Sequence, residues 1–175
     1  MLINEIYNLG KKLFPICRSI TGNGVRDTLN IFQKYLPRLK IHEVKSGTQV
    51  FDWRVPSEWN IEDAYVLDKF NKKIIDFKKN NLHLVGYSQP VEKFVDKKEL
   101  FRHLHSYKKI KNVIPYVTSY YKKYWGFCLS EKEKNKIKGN NFYVKIDSSF
   151  KKRGSLTIGE LVIKGKSKFE VLLSA

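Results

Sequence analysis

Four histidines, two cysteines and one glycine-rich turn are the residues of this chain whose types invite chemistry. His103 and His105 are the tempting metal pair. The pattern around them predicts a short helix over residues 97–107, with Leu100, Phe101 and Leu104 inward. Residues two apart on a helix point about 200° apart, so the two rings could not hold one ion. His42 and His83 stand alone, and no Cys or carboxylate cluster completes a zinc spacing. These histidines read as surface groups. Cys17 sits beside Arg18 and ahead of a helix start, which can depress a thiol pKa. Phe14 and Ile16 flank it and no histidine is near, so a buried structural thiol is the better reading. Cys128, between Phe127 and Leu129, reads as core.

The most distinctive stretch is "RSITGNGVR". Gly22 and Gly24 flank Asn23 at a helix start, with Arg18 and Arg26 close by. Such a turn can hold an anion on backbone amides. It is not a dinucleotide fingerprint, because it follows a helix and lacks the remaining spacing. The structural alternative is a capped turn between two helices, with Arg18 paired to a local carboxylate. A second stretch, "SYYKKYWGF", interleaves aromatics with lysines. That pattern suits stacking of bases with lysines on phosphates, and equally suits one packed sheet face. If a binding pocket exists, Arg18, Tyr120, Tyr121 and Trp125 are the candidate walls. No catalytic residue and no metal ligand is legible, and no Ser-His-Asp order, P-loop, paired carboxylates or nucleophile elbow appears.

The elements that must position these residues can be read from periodicity. Leu2, Ile6, Leu9 and Leu13 mark one face of an amphipathic helix that Pro15 ends. Thr21 or Asn23 can cap the next helix, with Asp27 in its first turn. Val25, Leu29, Phe32 and Leu36 mark its buried face. "LKIHEV" is a strand. From about Ser46 the texture becomes β-rich, with strands at Ala64–Leu67 and Ile74–Phe77. "IPYVTSYYKKYWGFCLS" is aromatic and strand-like, and Ser130 with Glu133 forms a capping box. "NFYVKIDSSF", "GSLTIGELVIKG" and "KFEVLLSA" are the last strands. The fold class is α/β, more strictly α+β over this length. Two outer segments, 1–49 and 131–175, form an α/β framework interrupted by a β-rich module at 50–130.

At 175 residues, with 42% hydrophobic and 14% aromatic residues, the chain can bury a core and is not a disordered segment. No apolar run reaches the ~20 residues that span a bilayer. The start lacks a signal pattern, so a cytoplasmic location is expected, and two distant cysteines fit a reducing compartment. The net charge is +17. Lysine pairs recur along the whole chain instead of forming one arm or recognition helix. That reads as a solvated surface and argues against nucleic acid as the partner.

Five blocks, "LFPICRSITGNGVRDTL", "IHEVKSGTQVFDWRVPSEWNIEDAYV", "IIDFKKNNLHLVGYSQPV", "IPYVTSYYKKYWGFCLS" and "GSLTIGELVIKGKSKFEVLLS", occur in order over essentially the whole chain. In these blocks the chain resembles bacterial zinc aminopeptidase-like proteins. Those carry a nested domain of unknown function inside the peptidase-like domain and a winged helix at the C-terminus. The resemblance implies an incomplete aminopeptidase-like α/β domain, with zinc in full-length members and a peptide-like substrate. It places the start of the metal site, a His-x-Cys-His-Pro type stretch, just after "LLS". No zinc ligand therefore carries over, and this chain is expected to lack peptidase activity alone. It is expected to pair with a missing C-terminal half or to self-associate through its last strand. The alternative is a non-enzymatic module binding a protein or an anionic polymer, nucleic acid or polysaccharide. The self-association expectation is checked by sedimentation: a monodisperse monomer with one sharp unfolding transition would contradict it.

Overall fold

The computed structural model describes residues 2–174. Helix α1 (Leu2–Leu13) and helix α2 (Asn23–Tyr35) come first. They are followed by β1 (Lys40–Lys45), the short pair β2 (Gln49–Val50) and β3 (Trp53–Arg54), then the long strand β4 (Glu58–Leu67) and β5 (Lys73–Asp76). Next are β6 (Val91–Asp96), helix α3 (Lys97–Arg102), β7 (Leu104–His105), β8 (Phe127–Cys128), the single turn α4 (Glu131–Lys134), β9 (Asn141–Lys151) and β10 (Ser155–Glu160). This is a mixed α+β chain with small sheets, as the sequence implies.

The main sheet is antiparallel, in the order β5-β4-β9-β6. Its inner face follows from strand alternation. Ala64 and Val66 of β4, Phe142, Val144 and Ile146 of β9, Ile75 of β5 and Val95 of β6 are all buried. They pack against Leu100 of α3, Leu104, Phe127, Leu129 and Ile137 to make the core. Register breaks between Ile61 and Asp63, where a bulge bends β4. The sequence reading places 141–151 in the outer framework; here β9 is a central strand, bonded to both β4 and β6.

A second, two-stranded sheet pairs β1 with β10, from Lys40↔Glu160 to Lys45↔Ser155. One ion pair ties it to the main sheet. Glu58 opens β4 with its side chain only 4% exposed, and Arg26 of α2 meets it with two guanidinium nitrogens at 3.1 and 2.5 Å. Arg26 also reaches Glu43 of β1 at 3.1 Å and the Ser155 hydroxyl of β10 at 3.1 Å. Glu58 further accepts from the Ser155 backbone N–H and the Asn60 amide. A Cβ at Gly154 would sit 2.2 Å from the Glu58 Cβ, so glycine is needed for this approach.

Several expected elements differ. The helix at 97–107 stops at Arg102, because Leu104–His105 instead pair in parallel with Phe127–Cys128. The N-cap of α2 is Gly22, with no side-chain cap; Thr21 is buried in hydrogen bonds to Tyr87 and Trp59, and Asp27 lies beyond the first turn. "KFEVLLSA" forms no strand among the described residues: 161–174 carry no regular structure, and Phe169, Val171, Leu172 and Leu173 are exposed. A strand needs a bonded neighbour, and no described strand lies beside this segment. Ala175, the expected edge of the metal site, lies outside the described residues. The Ser130–Glu133 capping box forms as read.

Arg26 holds the Glu58 carboxyl down at about 2, against an ordinary value near 4.5. A folded-state pKa below the unfolded one stabilises above the unfolded value and is lost as pH falls toward the folded value. Stability should therefore drop by on the order of 3 kcal/mol between pH 5 and pH 2 through this group alone. Glu58→Gln should cost ~3 kcal/mol at pH 7 and flatten that acid limb, read by urea unfolding across pH.

Candidate functional site

The segment 14–19, between α1 and α2, runs over the Trp59 end of the sheet and leaves two concavities that share Ile16, Cys17, Ser19 and Trp59. The larger, about 410 Å³, is lined by Phe14, Arg18, Asn81, Leu84, Gly86 and Tyr116 beside those shared residues. The smaller, about 260 Å³, lies toward Thr21, Asn60 and Phe77.

Backbone contact fixes the segment. A Cβ at Gly24 would lie 2.0 Å from the Cys17 carbonyl oxygen, and one at Gly22 would lie 2.2 Å from the Trp59 carbonyl oxygen. Gly22 also has φ +92°, a conformation that favours glycine. The Asn23 N–H donates to the Asn60 side chain at 2.7 Å, and Asn81 donates to the Phe14 carbonyl at 3.0 Å. The glycines of "RSITGNGVR" thus let α2 dock on β4. The amide that an anion would use is spent on Asn60. The floor is Trp59, stacked on Tyr87 at 5.5 Å, with its indole N–H donating to the Ser88 carbonyl. Tyr87 is buried at φ 64°, held there by Trp59, Tyr120 and Phe150 rings and by its hydroxyl bond to Thr21.

The four candidate walls are not brought together. Arg18 lines the larger cavity, and its guanidinium donates to the Leu13 carbonyl at 2.6 Å, not to a carboxylate. Tyr120 packs edge-on against Tyr87 at 4.9 Å and neighbours Tyr116, whose pKa burial and Tyr120 push up. Tyr121 is exposed and donates to the Arg54 carbonyl. Trp125 is buried elsewhere, stacked on His103 at 3.7 Å. Reading along the sequence missed Asn81, Tyr116 and Trp59 as cavity residues. Trp59 begins the apolar-polar alternation of β4, which was the available signal.

Burial pushes the Cys17 thiol up to about 11, against the opposing pull of Arg18, so it stays protonated at neutral pH. Among the described lining residues of the larger cavity no histidine or carboxylate stands ready as a base. The histidines are engaged elsewhere: His83 with the Cys128 carbonyl, His103 with the Trp125 carbonyl, His105 with the Tyr124 hydroxyl and His42 with Glu160. His103 and His105 do not share the helix expected of them: His105 is on a strand, and both rings contact Tyr124. Burial, Lys134 and His103 nevertheless lower the His105 pKa. Among the described residues no group of three or more His, Cys, Asp or Glu side chains converges to hold a metal, so the residues present do not fit a zinc site. No helix of the described residues is long and apolar enough to cross a membrane.

Comparison with known proteins places this geometry. The model of a family described as a domain of unknown function (DUF2172) matches residues 58–149, which runs from the first residue of β4 nearly to the end of β9. A Clostridium acetobutylicum protein, provisionally named a polysaccharide biosynthesis protein with an aminopeptidase-like domain, is 55% identical over 170 residues. That match covers 97% of this chain and 39% of the relative. A crystal structure from the same organism, provisionally described as a peptidase, superposes with a TM-score of 0.84 at 56% identity. It covers 89% of this chain and 36% of the crystallised one. The chain thus spans well under half the length of either protein.

Alkylation by iodoacetamide at pH 7.5 should be slow at both Cys17 and Cys128 in the folded chain and fast in urea, because burial raises both thiols, the second to about 12. Labelling of Cys17 at the rate of a free peptide thiol would contradict the packed segment described here.

Proposed function

The chain belongs to the family described as a domain of unknown function (DUF2172), and from that premise we propose that it is the non-catalytic part of a zinc-dependent aminopeptidase-like hydrolase. The observation that carries this is the match along 97% of the chain to a relative named for its aminopeptidase-like domain. In this reading the sheet of β4, β5, β6 and β9 is the nested unit. Helices α1 and α2 with the β1–β10 pair belong to the surrounding aminopeptidase-like framework. Zinc, a peptide-like substrate and the hydrolytic residues belong to the longer protein. Zinc, when bound there, would supply Lewis-acid chemistry, held by residues outside those described here. The residues of this chain would bind and position: Arg18, which lines the cavity, carries a fork of N–H donors suited to a carboxylate.

The exposed apolar residues support the same reading. Ile3, Ile6 and Tyr7 of α1, and Phe169 to Leu173 beyond β10, leave a large area uncovered. Patches of that kind mark surfaces made to be packed.

The experiment is a peptidase assay on the purified chain with equimolar zinc and aminoacyl-amide substrates. The expected outcome is no turnover above the zinc blank and no stoichiometric zinc retained after desalting. Turnover that a chelator abolishes would overturn the proposal.

A further inference from the structure

The outer face of the main sheet carries a row of aromatic rings. Tyr65 of β4, Tyr143 of β9 and Phe94 of β6 lie on adjacent strands, on the side opposite the core. Tyr65 and Tyr143 have ring centroids 6.4 Å apart, and Tyr143 and Phe94 5.2 Å. Phe94 is 79% exposed. Strand alternation forces the arrangement: Tyr65 lies between buried Ala64 and Val66, and Tyr143 between buried Phe142 and Val144. Large aromatic rings facing water on three neighbouring strands are an interaction surface, because a solvated sheet face is normally polar.

The charges around the row indicate the partner. The chain carries +17, yet the lysines on this face are matched to carboxylates. Lys73 pairs with Asp76 at 3.5 Å, Lys145 with Glu92 at 3.6 Å and Lys78 with Asp63 at 3.4 Å. Lys73 also sits 4.5 Å over the Tyr65 ring, and the Tyr143 hydroxyl donates to Glu92. Asp147 and Ser149 lie exposed on the same side of β9. A phosphate backbone needs uncompensated cations beside its stacking platform, and this face is locally neutral. An uncharged polyhydroxy chain needs the reverse: ring faces against which sugar C–H groups pack, with carboxylate and hydroxyl acceptors beside them. The rings are tilted 38° and 60° to their neighbours, so each presents its own face instead of joining one flat platform.

We propose that this face binds a neutral glycan chain, with successive sugar rings stacked on Tyr65, Tyr143 and Phe94 and their hydroxyls hydrogen-bonded to Glu92, Asp147 and Ser149. The inference stands apart from the peptidase reading, since it uses none of the cavity residues and no metal.

The test is amide chemical-shift mapping of the purified chain with cellohexaose, maltohexaose and chitohexaose at millimolar concentration, and with a single-stranded oligothymidine as the charged competitor. At least one glycan should shift the amides of Tyr65, Phe94, Tyr143 and Ser149 in a saturable way that persists at high salt. Phe94→Ala, at an exposed position, should weaken that binding about tenfold with the unfolding midpoint unchanged, and Tyr143→Phe should keep most of it. If none of the three glycans shifts this face, the proposal is wrong. If oligothymidine alone shifts it, and added salt reverses the effect, the surface is a nucleic-acid platform and the proposal is likewise overturned.

Discussion

One ion pair organises this chain. Glu58 is almost wholly removed from water at the first residue of the central strand β4, where an unpaired carboxylate could not remain charged. Arg26 makes the site tenable with a two-point contact, and the Ser155 N–H, the Asn60 amide and, at 3.7 Å, the Lys151 ammonium add to it. Because Arg26 also touches Glu43 and Ser155, the same side chain joins α2, β1, β4 and β10. Such a pair contributes less to net stability than its Coulomb energy suggests, since desolvation opposes it. Its weight lies in specificity: removing Arg26 leaves the buried Glu58 carboxylate with only the more distant Lys151 ammonium at 3.7 Å.

What surrounds the pair follows from it. Seating α2 on β4 brings the Gly22 backbone against Trp59 and the Gly24 backbone against Cys17, leaving no room for a Cβ at either position. The segment 14–19 is then held over Trp59, and the two cavities are the space that this crossing cannot fill. The two cavities are therefore a product of helix docking, while the aromatic row on the outer face of the main sheet is a product of strand alternation. The two surfaces are chemically separate, one mostly apolar with Arg18 among its lining residues, the other a neutral stacking face.

Much of the local structure was legible. Periodicity marks α1, α2, β1, the Ala64–Leu67 end of β4 and β9, and the Ser130–Glu133 box is a short-range hydrogen-bond pattern that a sequence states directly. The failures lie where long-range partners decide. Leu104–His105 leave the helix because Phe127–Cys128, over twenty residues on, offer a strand to pair with. "KFEVLLSA" has strand composition, yet no described strand lies beside it. Arg18 drew notice for its place beside the glycines, whereas Arg26 forms the buried pair with a carboxylate 32 residues away. The aromatic row was visible in principle, as "AYV" and "FYV" put tyrosine on the outward side of two core-facing pairs. Its continuity across strands required the sheet order.

The central claim is that the Arg26–Glu58 pair locks α2 and the β1–β10 sheet to the main sheet. Residue-resolved hydrogen exchange on the wild-type chain and on Arg26→Met measures this most directly. The account predicts that Val44, Thr157 and the α2 amides lose protection first and most in the variant, while Val66 and Val144 in the main sheet keep theirs. An unchanged profile, or a uniform loss across both sheets, would contradict it.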